Sequence, residues 1–276
     1  MSMTRNEPDD LNRPDVVQAR WCGRELIAIN LVALILLASW RWAPARLLWD
    51  RLDAGVFPLL NAPLASSAAW AQVWAVCSTR AVDLGFGLIM LAFLITGNWI
   101  FAAAQVRQAL YAFSAVLLLL LLIRVGPLGE LVRALHWQRA SPSMTVDGAV
   151  RLTGLFPDWT RDWHLKDASG RSFPGDHASI LLMWAIFVSP FTRGWRRWLV
   201  WCLAILFILP RLVSGAHWLS DVLVGGLFLA LMAIGWGLYT PYAARACALM
   251  ERFVSPVLLR LGRFPGLRHI SLLSRR

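Results

Sequence analysis

Charge is scarce in this sequence, and lysine scarcer still. Charged side chains make up 16% of 276 residues and hydrophobic ones 58%. That is too apolar for one soluble core and too long for one membrane crossing, so the composition points to a chain integrated in a bilayer. Of 27 basic side chains only Lys166 is a lysine. Arginine's planar fork suits bidentate phosphate contacts. The bias also follows from genomic base composition and from loops facing anionic headgroups. The net charge of +11 is spread among hydrophobic runs, which disfavours nucleic acid as a partner. Cys22, Cys77, Cys202 and Cys247 lie far apart, with no Cys-x-x-Cys spacing, so neither a disulfide framework nor a zinc site is implied. No small-residue cleavage signal follows the first apolar run, and the reading is a retained first helix. No internal repeat or low-complexity tract is evident.

What the sequence does have is apolar runs of the length a bilayer requires. A hydrocarbon core of ~30 Å needs about 20 helical residues. Runs near 25–42, 81–103, 110–125, 178–191, 195–212 and 218–239 predict six spans. The fold class expected is all-α, a polytopic six-helix bundle. Residues 1–24 form a polar cytoplasmic segment, 25–240 the catalytic membrane domain, and 241–276 a basic cytoplasmic or interfacial tail. Between 43 and 80 the chain is punctuated by Pro44, Gly55, Pro58 and Pro63, and an Ala- and Trp-rich piece at 66–77 reads as a surface helix or a short span. The stretch 126–175 is the one long polar loop, and loops of that length are usually functional. Six spans put both termini on one side. The cluster Arg193, Arg196 and Arg197 and the basic tail mark that side as cytoplasmic, so the long loop faces the periplasm.

Three segments carry candidate chemistry. In the first, five residues separate Arg211 from His217 and three separate His217 from Asp221. The second interval is i to i+4, which on a helix sets a carboxylate beside an imidazole, able to fix its tautomer and stabilise its charged form. Arg211 brings a phosphate-holding fork from the preceding helix. The alternative is a polar interfacial turn with an incidental pair, but ionisable groups beside membrane segments are costly unless they pair or act. In the second segment, Ser172-Phe173-Pro174-Gly175-Asp176-His177, the chain turns so that His177 sits at a helix start, where unpaired N–H groups attract anions. Taken alone it reads equally as a helix cap with Asp176 as capping residue. The third comprises Arg139-Ala140-Ser141-Pro142 and Lys166 through Arg171, extra cations and hydroxyls that any solvated basic loop also offers.

In that order, Arg139 to Pro142, Pro174 to His177 and Arg211 to Asp221 resemble the three motifs of the type 2 phosphatidic acid phosphatase superfamily, over roughly residues 80–240. The resemblance implies His217 as phosphorus nucleophile, Asp221 as its orienter, His177 as acid for the leaving oxygen, and Arg139 and Arg211 as a phosphate clamp. Where the family carries a lysine ahead of its first Arg-Pro, this chain has Val132, and Lys166 or Arg171 is the candidate replacement. Pro174-Gly-Asp-His177 stands where the family usually reads Pro-Ser-Gly-His, and Pro210-Arg211 where it reads Ser-Arg. These departures are similar to a subgroup of Gram-negative inner membranes that moves phosphate from undecaprenyl pyrophosphate to the 1-phosphate of lipid A on the periplasmic face. The resemblance thus implies a phosphohistidine enzyme with lipid substrates and no cofactor, arginines supplying the charge that Mg²⁺ supplies in P-loop enzymes. Its hydrolase counterpart, a lipid-phosphate or undecaprenyl-pyrophosphate phosphatase, differs only in what enters at the second step. A catalytically dead lipid carrier is the reading from another class, and the complete Arg/His/His/Asp set argues against it.

Overall fold

The computed structural model describes residues 15–262, Phe264 and 271–273. The polar segment expected before residue 15 and the far end of the basic tail lie outside the described residues. Among those described, all regular structure is helical and no strand forms. In chain order the helices are α1 (Gly23–Arg41), α2 (Ala43–Asn61), α3 (Pro63–Ser66), α4 (Ala68–Cys77), α5 (Arg80–Ile95), α6 (Val106–Val125), α7 (Pro127–Ala134), α8 (Pro142–Thr145), α9 (Leu152–Leu155), α10 (Pro157–Asp162), α11 (Asp176–Val188), α12 (Trp195–Val213), α13 (Leu227–Leu238), α14 (Tyr242–Phe253) and α15 (Ser255–Leu261).

Among the described residues three stretches are long and apolar enough to cross a bilayer: α1, the run Val106–Ala134 through α6 and α7, and Asp221–Leu238 ending in α13. Helices α4 and α5 together make a fourth if their 57° bend is taken within one span. The protein is a membrane protein. The expected spans at 178–191 and 195–212 correspond to α11, of 13 residues, and α12, of 19, whose ends carry Arg196, Arg197 and Arg211. Along α1 the side chains of Ile27, Leu31, Leu34 and Ile35 point outward, a surface that suits acyl chains.

Helix α13 is the centre of the bundle and packs against α1, α6 and α11. Small residues make that closeness possible: a Cβ on Gly235 would lie 2.6 Å from Ile29 of α1, and one on Gly237 2.8 Å from Val116 of α6. The start of the expected tail is docked, since Tyr242 donates to the Ala115 carbonyl at 3.0 Å and the Tyr111 and Ser255 hydroxyls meet at 2.9 Å.

The largest departure from expectation is α2. The prolines of this region read as breaks, yet Pro44 opens α2 and Pro63 opens α3, where a missing N–H costs nothing, and of these three only Pro58 lies inside a helix. Asp53, Phe57 and Asn61, spaced by four, form the buried face of α2. Asn61 bonds the Val213 carbonyl at 3.0 Å and the Val150 carbonyl at 3.1 Å, and accepts from the Val150 N–H at 2.8 Å. Helix α2 thereby ties the end of α12 to the long loop, which holds α7 to α10 and little other regular structure.

Candidate functional site

The turn after α12 brings the parts together. Gly215 adopts a φ of +77°, and a Cβ there would lie 2.7 Å from the Phe57 ring and 2.9 Å from Ser143, so only glycine fits. The His217 N–H then donates to the Arg211 carbonyl at 3.1 Å. From Asp221 to Gly226 the chain winds as a wide π-helical turn before α13 begins. Segment 172–177 lies directly on this turn. The Gly175 N–H donates to the Asp221 carbonyl at 3.1 Å, and Gly225 leaves room for Pro174, which follows a cis peptide bond from Phe173.

His217 and Asp221 meet as the spacing predicts, but through a turn and not along a helix face. His217 Nδ1 lies 3.8 Å from Asp221 Oδ2 and only 2.8 Å from the Ser172 carbonyl oxygen. A carbonyl only accepts, so Nδ1 carries the hydrogen and Nε2 keeps its lone pair. The tautomer is therefore set by Ser172, and the Asp221 carboxylate stands behind it as a charge. Ser172 is itself fixed, its N–H and hydroxyl both bonding the Arg139 carbonyl at 2.9 and 3.1 Å.

Asp221 is fully buried and its oxygens are occupied. Oδ2 accepts from the Trp218 N–H at 2.8 Å, and Oδ1 accepts from Arg139 Nε at 2.9 Å and Nη2 at 2.7 Å. Arg139 also reaches the Ser220 hydroxyl at 2.5 Å and, through Nη1, Asp53 Oδ2 at 3.1 Å. Asp53 in turn accepts from the Ser220 N–H at 2.8 Å and hydroxyl at 2.6 Å. Burial lifts the Asp53 carboxyl above its ordinary range, and the Ser220 and Arg139 contacts pull the other way. The Arg139 guanidinium lies 5.6 Å from the Trp40 ring and 5.3 Å from that of Trp218. In this geometry Arg139 braces the orienting carboxylate.

His177 sits in the first turn of α11, with Gly175 as the capping residue in place of the Asp176 considered from sequence. Asp176 instead forms a bidentate pair with Arg124 at the end of α6. His177 Nε2 lies 3.7 Å from Asp83 Oδ1, within electrostatic reach of His217 and Arg211. Arg211 uses Nη1 on the carbonyls of Ser78 and Lys166, each at 3.3 Å, and Nη2 on Asp83. Its Nε edge has no partner among the described residues. Lys166 is held against Arg211 by its backbone, while its ammonium is exposed, and Arg171 is exposed nearby in sequence. Among the described residues neither side chain has a hydrogen bond or ion pair.

Residues 111–245 match the PAP2 superfamily. The chain carries a PAP2 superfamily domain. It is accordingly an enzyme of the phosphatase and phosphotransferase kind. It is also 29% identical, over 228 residues, to the lipid A 1-diphosphate synthase of Escherichia coli (strain K12), an alignment covering 83% of this chain and 92% of that protein. No solved structure matches it. This PAP2 chain draws two buried or half-buried carboxylates into its site, Asp53 from α2 and Asp83 from α5, that lie ahead of the matched segment and that motif spacing does not find. A lone carboxylate in the apolar run of α5 was the available signal for Asp83, whereas Asp53 shares α2 with Arg46, Asp50 and Arg51 and gave none.

Proposed function

We propose that the protein transfers a phosphate from undecaprenyl pyrophosphate to the 1-phosphate of lipid A, yielding lipid A 1-diphosphate and undecaprenyl phosphate through a phosphohistidine on His217. The near full-length similarity to the E. coli lipid A 1-diphosphate synthase supports the substrates. The observation that carries the chemistry is the Ser172 carbonyl on Nδ1, which leaves Nε2 of a neutral imidazole as the attacking atom.

In the first half-reaction Nε2 attacks the terminal phosphorus, the bond to the bridging oxygen breaks, and His177 gives its proton to that oxygen. In the second, an oxygen of the acceptor phosphate attacks the phosphohistidine, the phosphorus–nitrogen bond breaks and His177 takes the proton back. Asp221, with Arg139 behind it, stabilises the imidazolium form of His217 during the first step. The free Nε edge of Arg211, with Lys166 and Arg171, holds the diphosphate oxygens. Arg139 joins them by exchanging its Asp53 contact for phosphate. The six apolar segments cross the inner membrane with the termini in the cytoplasm, and the loop between the third and fourth places the site at the periplasmic face.

Purified protein given donor labelled on its terminal phosphate, with lipid A present, should place label on lipid A, and His217→Ala should stop it. Label released solely as inorganic phosphate would overturn the transferase reading in favour of a phosphatase.

A further inference from the structure

Asp83 belongs to no motif, yet one carboxylate there touches both working groups on the donor side of the site. Oδ2 binds Arg211 Nη2 and Oδ1 faces His177 Nε2 at 3.7 Å. We propose that Asp83 is the positioning residue of the general acid, holding the His177 Nε2–H towards the leaving oxygen while locking the Arg211 fork, so that acid and clamp keep one register. The inference rests on reading His177 as that acid.

Three observations carry it. First, His177 Nε2 is buried and has no hydrogen-bond partner, and the Asp83 oxygen lies just beyond bonding distance of it. A proton on that nitrogen has a nearby acceptor in Asp83 until substrate supplies a better one. Second, the charges facing His177 are Arg211 from α12, His217 from the turn after it, Asp83 from α5 and the adjoining Asp176 of its own helix. Arg124 of α6 engages both oxygens of Asp176, so Asp83 is the carboxylate disposed to balance a protonated His177. Third, the start of α5 is anchored to the clamp. The Ser78 carbonyl accepts from Arg211 Nη1 at 3.3 Å and from the Lys166 N–H at 3.4 Å, and the Ser78 hydroxyl donates to the Pro210 carbonyl at 3.4 Å. Asp83, one turn into α5, therefore cannot move independently of Arg211.

The test is a double-mutant cycle on the purified full chain, with undecaprenyl pyrophosphate as donor and lipid A as acceptor. Asp83→Asn should lower kcat at least about tenfold, within the range a general acid supplies. Loss of the Arg211 counter-ion should also lower the melting temperature, and Asp83→Glu, which keeps the charge, should recover part of both losses. In a His177→Asn background the same Asp83→Asn change should cost clearly less, keeping only the part that acts through Arg211, because there is no acid left to position. An equal loss in both backgrounds, or parental kcat in Asp83→Asn, would overturn the proposal. Full turnover by His177→Asn alone would instead overturn the reading of His177 as the acid.

Discussion

Gly225→Ala is the sharpest test of how the site is held together, because the added atom has a calculable destination. Its Cβ would lie 2.7 Å from Pro174 Cβ, 2.8 Å from Pro174 Cα and 2.9 Å from the Phe173 ring. Ordinary contact begins at 3.4 Å, so the nearest atom must retreat by about 0.7 Å. None of these atoms is the far end of a flexible side chain. Phe173 is stacked on Trp40, with ring centres 4.3 Å apart, and Pro174 is pinned through the Gly175 N–H to Asp221. The shift must therefore pass along the chain to Ser172, whose carbonyl sets the His217 tautomer, and to His177. Overpacking of this kind costs about 1–3 kcal/mol. A misplacement approaching 1 Å in the reacting groups lowers turnover by roughly 10²-fold. The assay is donor cleavage by detergent-solubilised protein at saturating donor, with thermal unfolding measured in parallel. Gly87→Ala on α5 is the control, since its Cβ meets nothing within 4 Å. Turnover of Gly225→Ala within twofold of the parent would refute the claim that the 172–177 segment is positioned by this contact.

Asp53→Ala should lower stability by about 1–3 kcal/mol, since Ser220 and the half-buried Arg139 each lose a hydrogen-bond partner while Asp221 still balances the guanidinium, and the loss should appear as a fall in melting temperature. Unchanged melting would show that Asp53 is not structurally engaged. Lys166→Ala should raise KM for the donor roughly tenfold, for one lost charge-assisted contact, with melting unaltered because its side chain is exposed and unpaired. A loss confined to kcat would remove Lys166 from donor binding. Arg139→Lys should lower turnover far more than it raises KM, because a lysine cannot bridge Asp221, Ser220 and Asp53 together. The reverse pattern would assign Arg139 chiefly to substrate binding.

The legible part of the site was the part written in one stretch. Arg211, His217 and Asp221 lie within eleven residues, and the turn delivers all three to one place, although the i to i+4 spacing described a helix that forms only after His217. The helix start at His177 was equally local. The α2 helix was hidden because its prolines look like interruptions unless one knows that two of them sit at helix openings. Asp53 and Asp83 are each isolated in sequence, and their partners lie more than 80 residues away. No short-range spacing encodes such a contact. Ser172 escaped because it acts through its carbonyl, a group every residue has, so its identity gives no signal of its role.

The two carboxylates that precede residue 111 have a consequence for anyone recombining such proteins. A chimera that exchanged only the matched segment 111–245 would carry over every motif histidine and arginine. It would leave behind Asp83, the counter-ion of Arg211, and Asp53, one of the two carboxylates on Arg139. Such a graft would inherit Arg211 without a carboxylate to neutralise it and Arg139 with one of its two, so the smallest transplantable unit of this enzyme runs from α2 onward, outside the 111–245 segment of the family match.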